Sequence, residues 1–135
     1  MTPQLAEELL TPTRIYVKDC LALRDRIDVH AFAHVTGGGL PGNLPRVLPE
    51  GHKAVLRRGS WPIPPVFDRI QNAGNVAPDE MLRTFNMGIG MCAVVRPRDV
   101  KDAIDLLKAR GQEAFEIGAI EAAPGLAEPE VVVQG

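Results

Sequence analysis

The stretch from residue 88 to residue 122 constrains the fold more than any other part of the sequence. Residues 88–95 form a nearly continuous apolar run of strand length, which is typical of a strand buried on both faces. Pro97 then begins an amphipathic helix that Gly111 ends, and residues 114–122 have the pattern of another strand. This order predicts a right-handed β-α-β crossover whose two strands are parallel.

Prolines and glycines separate the remaining elements. Thr11 and Pro12 have the types expected at the cap and first position of a helix, and Pro78 begins a later one. Strands alternate with helices throughout, so the sequence predicts an α/β or α+β fold. The further predicted elements are helices at 11–24, 40–48 (interrupted by prolines) and 60–73, and strands at 29–35, 53–56 and 130–133.

Length, charge and cysteine content exclude several classes of protein. A chain of 135 residues is the size of one domain and can bury a core without disulfides. The formal charge of −2 gives no indication of a nucleic-acid or membrane-surface protein, and the chain begins without the features of a secretory signal. Cys20 and Cys92 are too few for a disulfide framework and are interpreted as small core residues. We therefore expect a cytoplasmic location.

Three consecutive glycines follow the strand predicted at 29–35. The segment runs His34-Val35-Thr36-Gly37-Gly38-Gly39 and is followed by Asn43 and Arg46. Glycines at this position let backbone amides approach a ligand, and together with the start of the next helix they favour an anion such as phosphate. Thr36 adds a hydroxyl and Arg46 a fork of donors. The spacing matches neither a Walker loop nor a dinucleotide fingerprint, so a simple turn between strand and helix remains an equal alternative.

A second motif, residues 83–91, contains Asn86, Gly88 and Gly90. Glycines that alternate along a strand allow either a ligand or a packed helix to approach closely, and the packed helix is the simpler interpretation. His34 and His30 are interpreted as hydrogen-bonded structural groups, because no third metal ligand accompanies them. The sequence contains no complete catalytic set, and no catalytic residue is assigned.

Four stretches together resemble one family. Residues 10–17, 33–39, 43–49 and 83–91 are similar, in order and spacing, to phosphoribosylformylglycinamidine cyclo-ligase, also called aminoimidazole ribonucleotide synthetase. The resemblance covers residues 1–135 as a single C-terminal domain, without the N-terminal domain that holds much of the ATP site and the dimer interface. It implies an α+β fold in which helices flank a mixed β-sheet, partly ferredoxin-like.

The resemblance also implies a function and a site. The family uses ATP, with Mg, to close the imidazole ring of formylglycinamidine ribonucleotide, giving aminoimidazole ribonucleotide, ADP and phosphate in purine biosynthesis. The full-length family is homodimeric, whereas this chain alone is expected to be inactive and to require no cofactor. The residues that match the family's phosphate- or substrate-binding motifs are His34, Thr36, Gly37, Gly38, Gly39, Asn43, Arg46, Asn86, Gly88 and Gly90.

One departure and two alternatives accompany this resemblance. Many members have a carboxylate just before the loop asparagine, where this chain has Gly42. The matching domain of a related ATP-dependent enzyme, such as formylglycinamidine ribonucleotide synthase, selenophosphate synthetase or thiamine-monophosphate kinase, is one alternative. A non-catalytic interaction module is the other.

Overall fold

The computed structural model describes residues 2–135, and in them the chain forms six α-helices and five strands. Two short 3₁₀ turns, Leu44–Val47 and Pro97–Asp99, adjoin α3 and α6. The elements in chain order are α1 (Pro3–Leu9), α2 (Val17–Arg26), β1 (Val29–His34), α3 (Gly39–Asn43), β2 (His52–Arg57), α4 (Pro65–Gly74), α5 (Pro78–Thr84), β3 (Met91–Val95), α6 (Val100–Ala109), β4 (Gly118–Ala122) and β5 (Glu130–Gln134).

The strands form two separate sheets. β1 pairs with β3 in an antiparallel ladder, and β2 lies between β4 and β5, antiparallel to the first and parallel to the second. Helices and a mixed sheet in one chain confirm the predicted α+β class.

The predicted parallel crossover from β3 to β4 is wrong. β3 pairs with β1, whereas β4, the strand that follows α6, pairs with β2, so β3 and β4 belong to different sheets. The expectation that β3 is buried on both faces is also wrong, because Cys92 is its only buried residue and Ala93 is exposed. An apolar run of strand length indicates a strand, but it does not determine which strand pairs with it or how many of its faces are buried.

The predicted helix at 11–24 begins later than the sequence indicated. Thr2 and Pro3 start a helix that was not predicted, with the Leu5 amide donating to Thr2 Oγ1 at 3.2 Å. Thr11 instead donates its hydroxyl to the Glu7 carbonyl at 3.0 Å, which closes α1. Residues 11–16 are consequently irregular and α2 begins at Val17. The Thr-Pro signature occurs at both places, and the bond from Thr11 to Glu7, four residues earlier, puts the second pair at the end of a helix and not at its start.

The helix predicted at 60–73 also starts later. It begins at Pro65, because Pro62 and Pro64 force the residues before them into extended conformations. Its end at Gly74 agrees with the prediction, and Asn75 adopts the left-handed conformation typical of a residue that ends a helix.

The main core lies between the two sheets, beneath the glycine loop. Its buried members are Ala33, Val35, Leu40, Leu44, Ala54, Leu56, Trp61, Ile89 and Cys92. The indole of Trp61 is buried and donates a hydrogen bond to the Met87 carbonyl at 3.0 Å, so this residue anchors the packing of the core. Because Trp61 follows β2 and Met87 precedes β3, this bond joins the two sheets.

In residues 2–135, no helix has both the length and the apolar character needed to cross a bilayer. Several large apolar side chains near the start of the chain are exposed, most strongly Leu10 and Ile15, whose exposed fractions are 80% and 81%.

Candidate functional site

A large open cleft of about 1260 Å³ runs along the β1–β3 ladder. Its walls are the irregular segment 11–16, the proline-rich segment 62–66 and the approach to β4 at 112–120. The volume exceeds that of a typical small-molecule pocket, so a nucleotide-sized ligand fits within it.

The β1–β3 ladder brings the two glycine motifs together. His34 is paired with Met91, and the Val35 amide donates to the Gly90 carbonyl at 2.9 Å. Motifs far apart in the sequence therefore lie side by side at one end of the ladder. Of the predicted site residues, the five that line the cleft are His34, Thr36, Asn86, Gly88 and Gly90.

Asn43 organises the glycine loop from below. Its side chain is buried, and its amide nitrogen lies 3.2 Å from the carbonyl oxygens of Thr36 and Gly37 and 2.9 Å from that of Gly39. Its side-chain oxygen accepts from the Thr36 hydroxyl at 3.2 Å. Asn43 thus turns the loop carbonyls inward and lies outside the lining of the cleft. Its direct contact with a ligand stays a prediction.

The loop amides divide into two groups. The Gly39 amide donates to the Thr36 carbonyl at 3.0 Å, and the Gly42 amide to the Gly38 carbonyl at 2.9 Å. The amides of Gly37 and Gly38 make no hydrogen bond to another group in residues 2–135. Because α3 is only five residues long, its dipole adds little, and these two amides are the donors that the loop offers to an anion.

The three positions of the loop differ in whether the structure requires glycine there. Gly38 and Gly39 have φ values of +102° and +61°, which L side chains rarely adopt. A Cβ on Gly39 would lie 1.8 Å from the Leu82 carbonyl oxygen, so this position packs the loop against α5. A Cβ on Gly37 would meet no atom within 4 Å. Only Gly37 is therefore glycine without a packing or conformational requirement.

The second motif forms a turn before β3. The Asn86 side-chain oxygen accepts from the Gly88 amide at 2.9 Å, and the Ile89 amide donates to the Asn86 carbonyl at 3.0 Å. Asn86 therefore shapes the turn that leads into β3, while its contact with a ligand stays a prediction.

Other residues pack closely against Gly88 and Gly90, but they do not belong to a helix, as the sequence had favoured. A Cβ on Gly88 would lie 2.7 Å from Pro64 Cδ, and one on Gly90 would lie 1.8 Å from the Tyr16 hydroxyl oxygen. The neighbours come from irregular segments on either side of the cleft. Tight packing is confirmed, and its expected partner was wrong.

His34 and Arg46 differ from their expected settings. The His34 side chain is exposed at the cleft, where its ring centroid lies 5.9 Å from that of Tyr16 in an edge-on arrangement. It makes no hydrogen bond within residues 2–135, so its interpretation as a hydrogen-bonded structural group is wrong. Arg46 is exposed on the 3₁₀ turn Leu44–Val47 and does not line the cleft.

The cysteines provide no activated nucleophile. Burial raises the pKa of the Cys92 thiol from 9.0 to about 12. Burial, with a smaller contribution from the neighbouring Asp19 carboxylate, raises the pKa of Cys20. Reactive cysteines have lowered pKa values, so both thiols are inert at neutral pH.

The donor set suits an anion better than a metal ion. Within residues 2–135, no three His, Cys, Asp or Glu side chains lie close enough to hold a metal. Gly42 presents no carboxylate beside the loop, while Thr36, His34 and the amides of Gly37 and Gly38 are groups that donate to phosphate oxygens. These residues do not fit Mg by themselves, and no step through it follows from them.

Sequence reasoning missed the wall formed by residues 11–16. Arg14 and Tyr16 were placed in a helix, although both belong to a stretch that carried the family resemblance. In the structure they line the cleft, and Tyr16 covers Gly90. The glycine at position 90 was the available signal, since it leaves room for this ring.

Comparison with known proteins identifies the family of this chain. The family model described as AIR synthase related protein, C-terminal domain, matches residues 2–128. A phosphoribosylformylglycinamidine cyclo-ligase of Anaeromyxobacter dehalogenans (strain 2CP-C) is 59% identical over 129 residues, which are 95% of this chain and 37% of that protein. The Myxococcus xanthus enzyme of the same name is 54% identical over 90% of this chain and 35% of its own length.

A more distant genus gives the same result. The cyclo-ligase of Brevibacillus brevis is 51% identical over 119 residues, which are 88% of this chain and 34% of that protein. The chain thus spans little more than a third of the length of these relatives. With the family model matched over nearly all its residues, the chain belongs to the AIR synthase related protein family and corresponds to its C-terminal domain.

Proposed function

We propose that this chain is the C-terminal domain of a phosphoribosylformylglycinamidine cyclo-ligase and that it binds a phosphorylated ligand in the cleft. One observation carries the proposal: His34 and Thr36 line a nucleotide-sized cleft, and the amides of Gly37 and Gly38, which follow them just outside its lining, make no hydrogen bond within residues 2–135. Backbone amides, a hydroxyl and an imidazole are groups that bind phosphate oxygens.

The reaction we assign is that of the named relatives. ATP phosphorylates the formyl amide oxygen of formylglycinamidine ribonucleotide, and ring closure releases phosphate, giving aminoimidazole ribonucleotide and ADP. ATP supplies the phosphoryl group when bound. The residues of this chain hold and orient the phosphorylated ligand, either at its 5′-phosphate or at a nucleotide phosphate.

The cleft has one side that this chain does not supply. Leu10, Ile15 and Val17 adjoin in sequence the residues of segment 11–16 that line the cleft, and their side chains are exposed, with exposed fractions of 80%, 81% and 62%. Exposed apolar side chains grouped in this way are characteristic of an interface. We assign the N-terminal domain of the family to this place, so the chain binds its ligand alone but turns over only with that domain. The homodimer and the cytoplasmic location expected for the family stay predictions.

Titration calorimetry with ribose 5-phosphate, and then with the ribonucleotide substrate, tests the binding. Gly37→Ala adds a methyl group where the free protein has room, and it obstructs a ligand at the amides. We expect at least a tenfold loss of affinity with an unchanged unfolding temperature. Gly42→Ala is the matched control, because a Cβ there also meets no atom within 4 Å and the Gly42 amide, which donates to the Gly38 carbonyl, is not one of the two unpaired donors.

Two outcomes would contradict the proposal. Binding that is absent from the wild-type chain at millimolar ligand, with the fold intact, removes the phosphate assignment. Equal affinity in both glycine variants and the wild type moves the ligand away from the loop.

A complementation assay tests the enzyme assignment. The N-terminal domain of a relative, added in trans with ATP, is expected to restore formation of aminoimidazole ribonucleotide. Complex formation without turnover would favour the interaction module instead, whereas product from another ATP-dependent reaction would favour a related synthase.

A further inference from the structure

We propose that Arg14 is a guanidinium that binds a phosphate of the ligand in the cleft. This inference rests on the proposed function and adds to it the charged partner of the anion. The sequence assigned that part to Arg46, which does not line the cleft. Among the residues that do line it, Arg14 is the only lysine or arginine in the described part of the chain.

Arg14 is held in place by a chain of side-chain contacts. Its Nη1 donates to the Gln112 side-chain oxygen at 2.9 Å. The nitrogen of the same amide donates to Asp19 Oδ2 at 2.8 Å, and Asp19 Oδ1 accepts from Arg110 Nε at 2.7 Å. Because Asp19 takes the amide nitrogen, the Gln112 oxygen must face Arg14. The guanidinium is therefore oriented before any ligand arrives.

The charge of Arg14 is not compensated by the protein. No carboxylate in residues 2–135 lies within 4.0 Å of its guanidinium, and its one side-chain bond is to a neutral amide. Asp19 is already paired with Arg110. Most of the five guanidinium donors remain available for a phosphate, which matches their fork geometry.

Four carboxylates also line the cleft, those of Glu8, Asp19, Glu113 and Glu116. Asp19 is paired with Arg110 at 2.7 Å and Glu116 with Arg57 at 3.5 Å. Because Arg14 carries the only lysine or arginine charge of the lining within the described residues, it is the side chain there that attracts an anionic phosphate. The ligand class that follows is a phosphomonoester or nucleotide phosphate.

The backbone that carries Arg14 is fixed on both sides. The Thr11 hydroxyl bonds to the Glu7 carbonyl at 3.0 Å, and the Tyr16 hydroxyl rests on the bare Cα of Gly90. The absence of a side chain at Gly90 leaves room for the Tyr16 hydroxyl. Gly90 thereby helps to position segment 11–16, which carries Arg14.

Calorimetry with ribose 5-phosphate at several salt concentrations tests the assignment. Arg14→Leu is expected to weaken binding by about tenfold to a hundredfold, the usual effect of losing a charge-assisted hydrogen bond. It is also expected to reduce the salt dependence of the affinity. Arg14→Lys should keep the salt dependence with an intermediate affinity, because the charge remains and the fork is lost.

Two further variants separate binding from positioning. Arg24→Leu on α2 is the control, since Arg24 is exposed, pairs with no carboxylate of residues 2–135 other than Asp25 (3.3 Å) and lies outside the cleft. Gln112→Ala keeps the charge of Arg14 but removes its support, and we expect a loss of about threefold to tenfold with the salt dependence preserved. The wild-type unfolding temperature is expected for Arg14→Leu, whose side chain is exposed.

The outcomes distinguish this inference from the proposed function. Wild-type affinity in Arg14→Leu, with Gly37→Ala impaired, overturns the role of Arg14 and leaves the phosphate cleft standing. A wild-type chain that binds no ribose 5-phosphate overturns both. An equal loss in Arg24→Leu shows a general charge effect and also overturns the assignment.

Discussion

Asn43→Ala removes the group that holds the glycine loop closed, and its cost follows from the contacts it makes. The two amide hydrogens of Asn43 serve the carbonyls of Thr36, Gly37 and Gly39, and Gly39 is buried. Each net hydrogen bond contributes about 1 kcal/mol, and a buried carbonyl left without a donor costs about 1–3 kcal/mol. Together these give a loss of about 2–4 kcal/mol in the free energy of unfolding.

Urea unfolding followed by the fluorescence of Trp61, the only tryptophan, measures this loss. For a chain of this length the melting temperature should fall by about 6–12 °C. Asn86→Ala is the matched control, since its side chain accepts a single hydrogen bond and lies partly in solvent, so we expect a loss of about 1 kcal/mol. If Asn43→Ala costs no more than Asn86→Ala, the loop does not depend on this amide and the reasoning fails.

Three further predictions use other positions. Gly42→Ala should raise the free energy of unfolding by about 0.5–1 kcal/mol, because the position is helical with open space around it; a loss in urea unfolding would contradict this. Since the pKa of Cys92 is higher in the folded state than 9.0, its contribution to stability should fall as pH rises from 9 towards 12, by about 1.4 kcal/mol per pH unit; Cys92→Ala should lack that slope in unfolding measured from pH 8 to 11. Gly90→Ala should destabilise through its collision with the Tyr16 hydroxyl, and the double variant with Tyr16→Phe should recover part of the loss; strict additivity in a double-mutant cycle would refute the contact.

Much of the fold could be predicted from local signals. Helix α6 has an apolar stripe and Gly111 after it, and its predicted end agrees with the structure, whereas it starts at Val100, after the 3₁₀ turn Pro97–Asp99. The strands β1, β2 and β5 agree with the predicted bounds to within a residue or two. These signals act within one element, so the sequence alone contains them.

Pairing between elements could not be predicted in the same way. The β3 run carries no mark of its antiparallel partner β1, and the Thr-Pro pairs at the starts of residues 2–3 and 11–12 have identical local chemistry. Their fates differ because the Thr11 hydroxyl closes α1, which is a contact with the preceding helix.

The sequence singled out the two glycine motifs but did not predict that they lie side by side. The antiparallel β1–β3 ladder brings them together, and that pairing was not predicted. Asn43 lies beside the glycine loop, but its side chain bonds to the loop carbonyls and does not line the cleft. Arg46 does not line the cleft either. Side-chain direction depends on the turn of the short α3 helix and the 3₁₀ turn that follows, which no spacing of residues reveals.

The parallel pairing of β5 with β2 has a consequence for how the chain reaches its native state. Between these strands the chain forms three α-helices, the partner of β1 and the other neighbour of β2. Closing so long a loop costs entropy before the contact repays it, so β5 is expected to join the sheet late. Until then one edge of β2 presents unpaired backbone groups, and association between nascent copies is most probable during that interval.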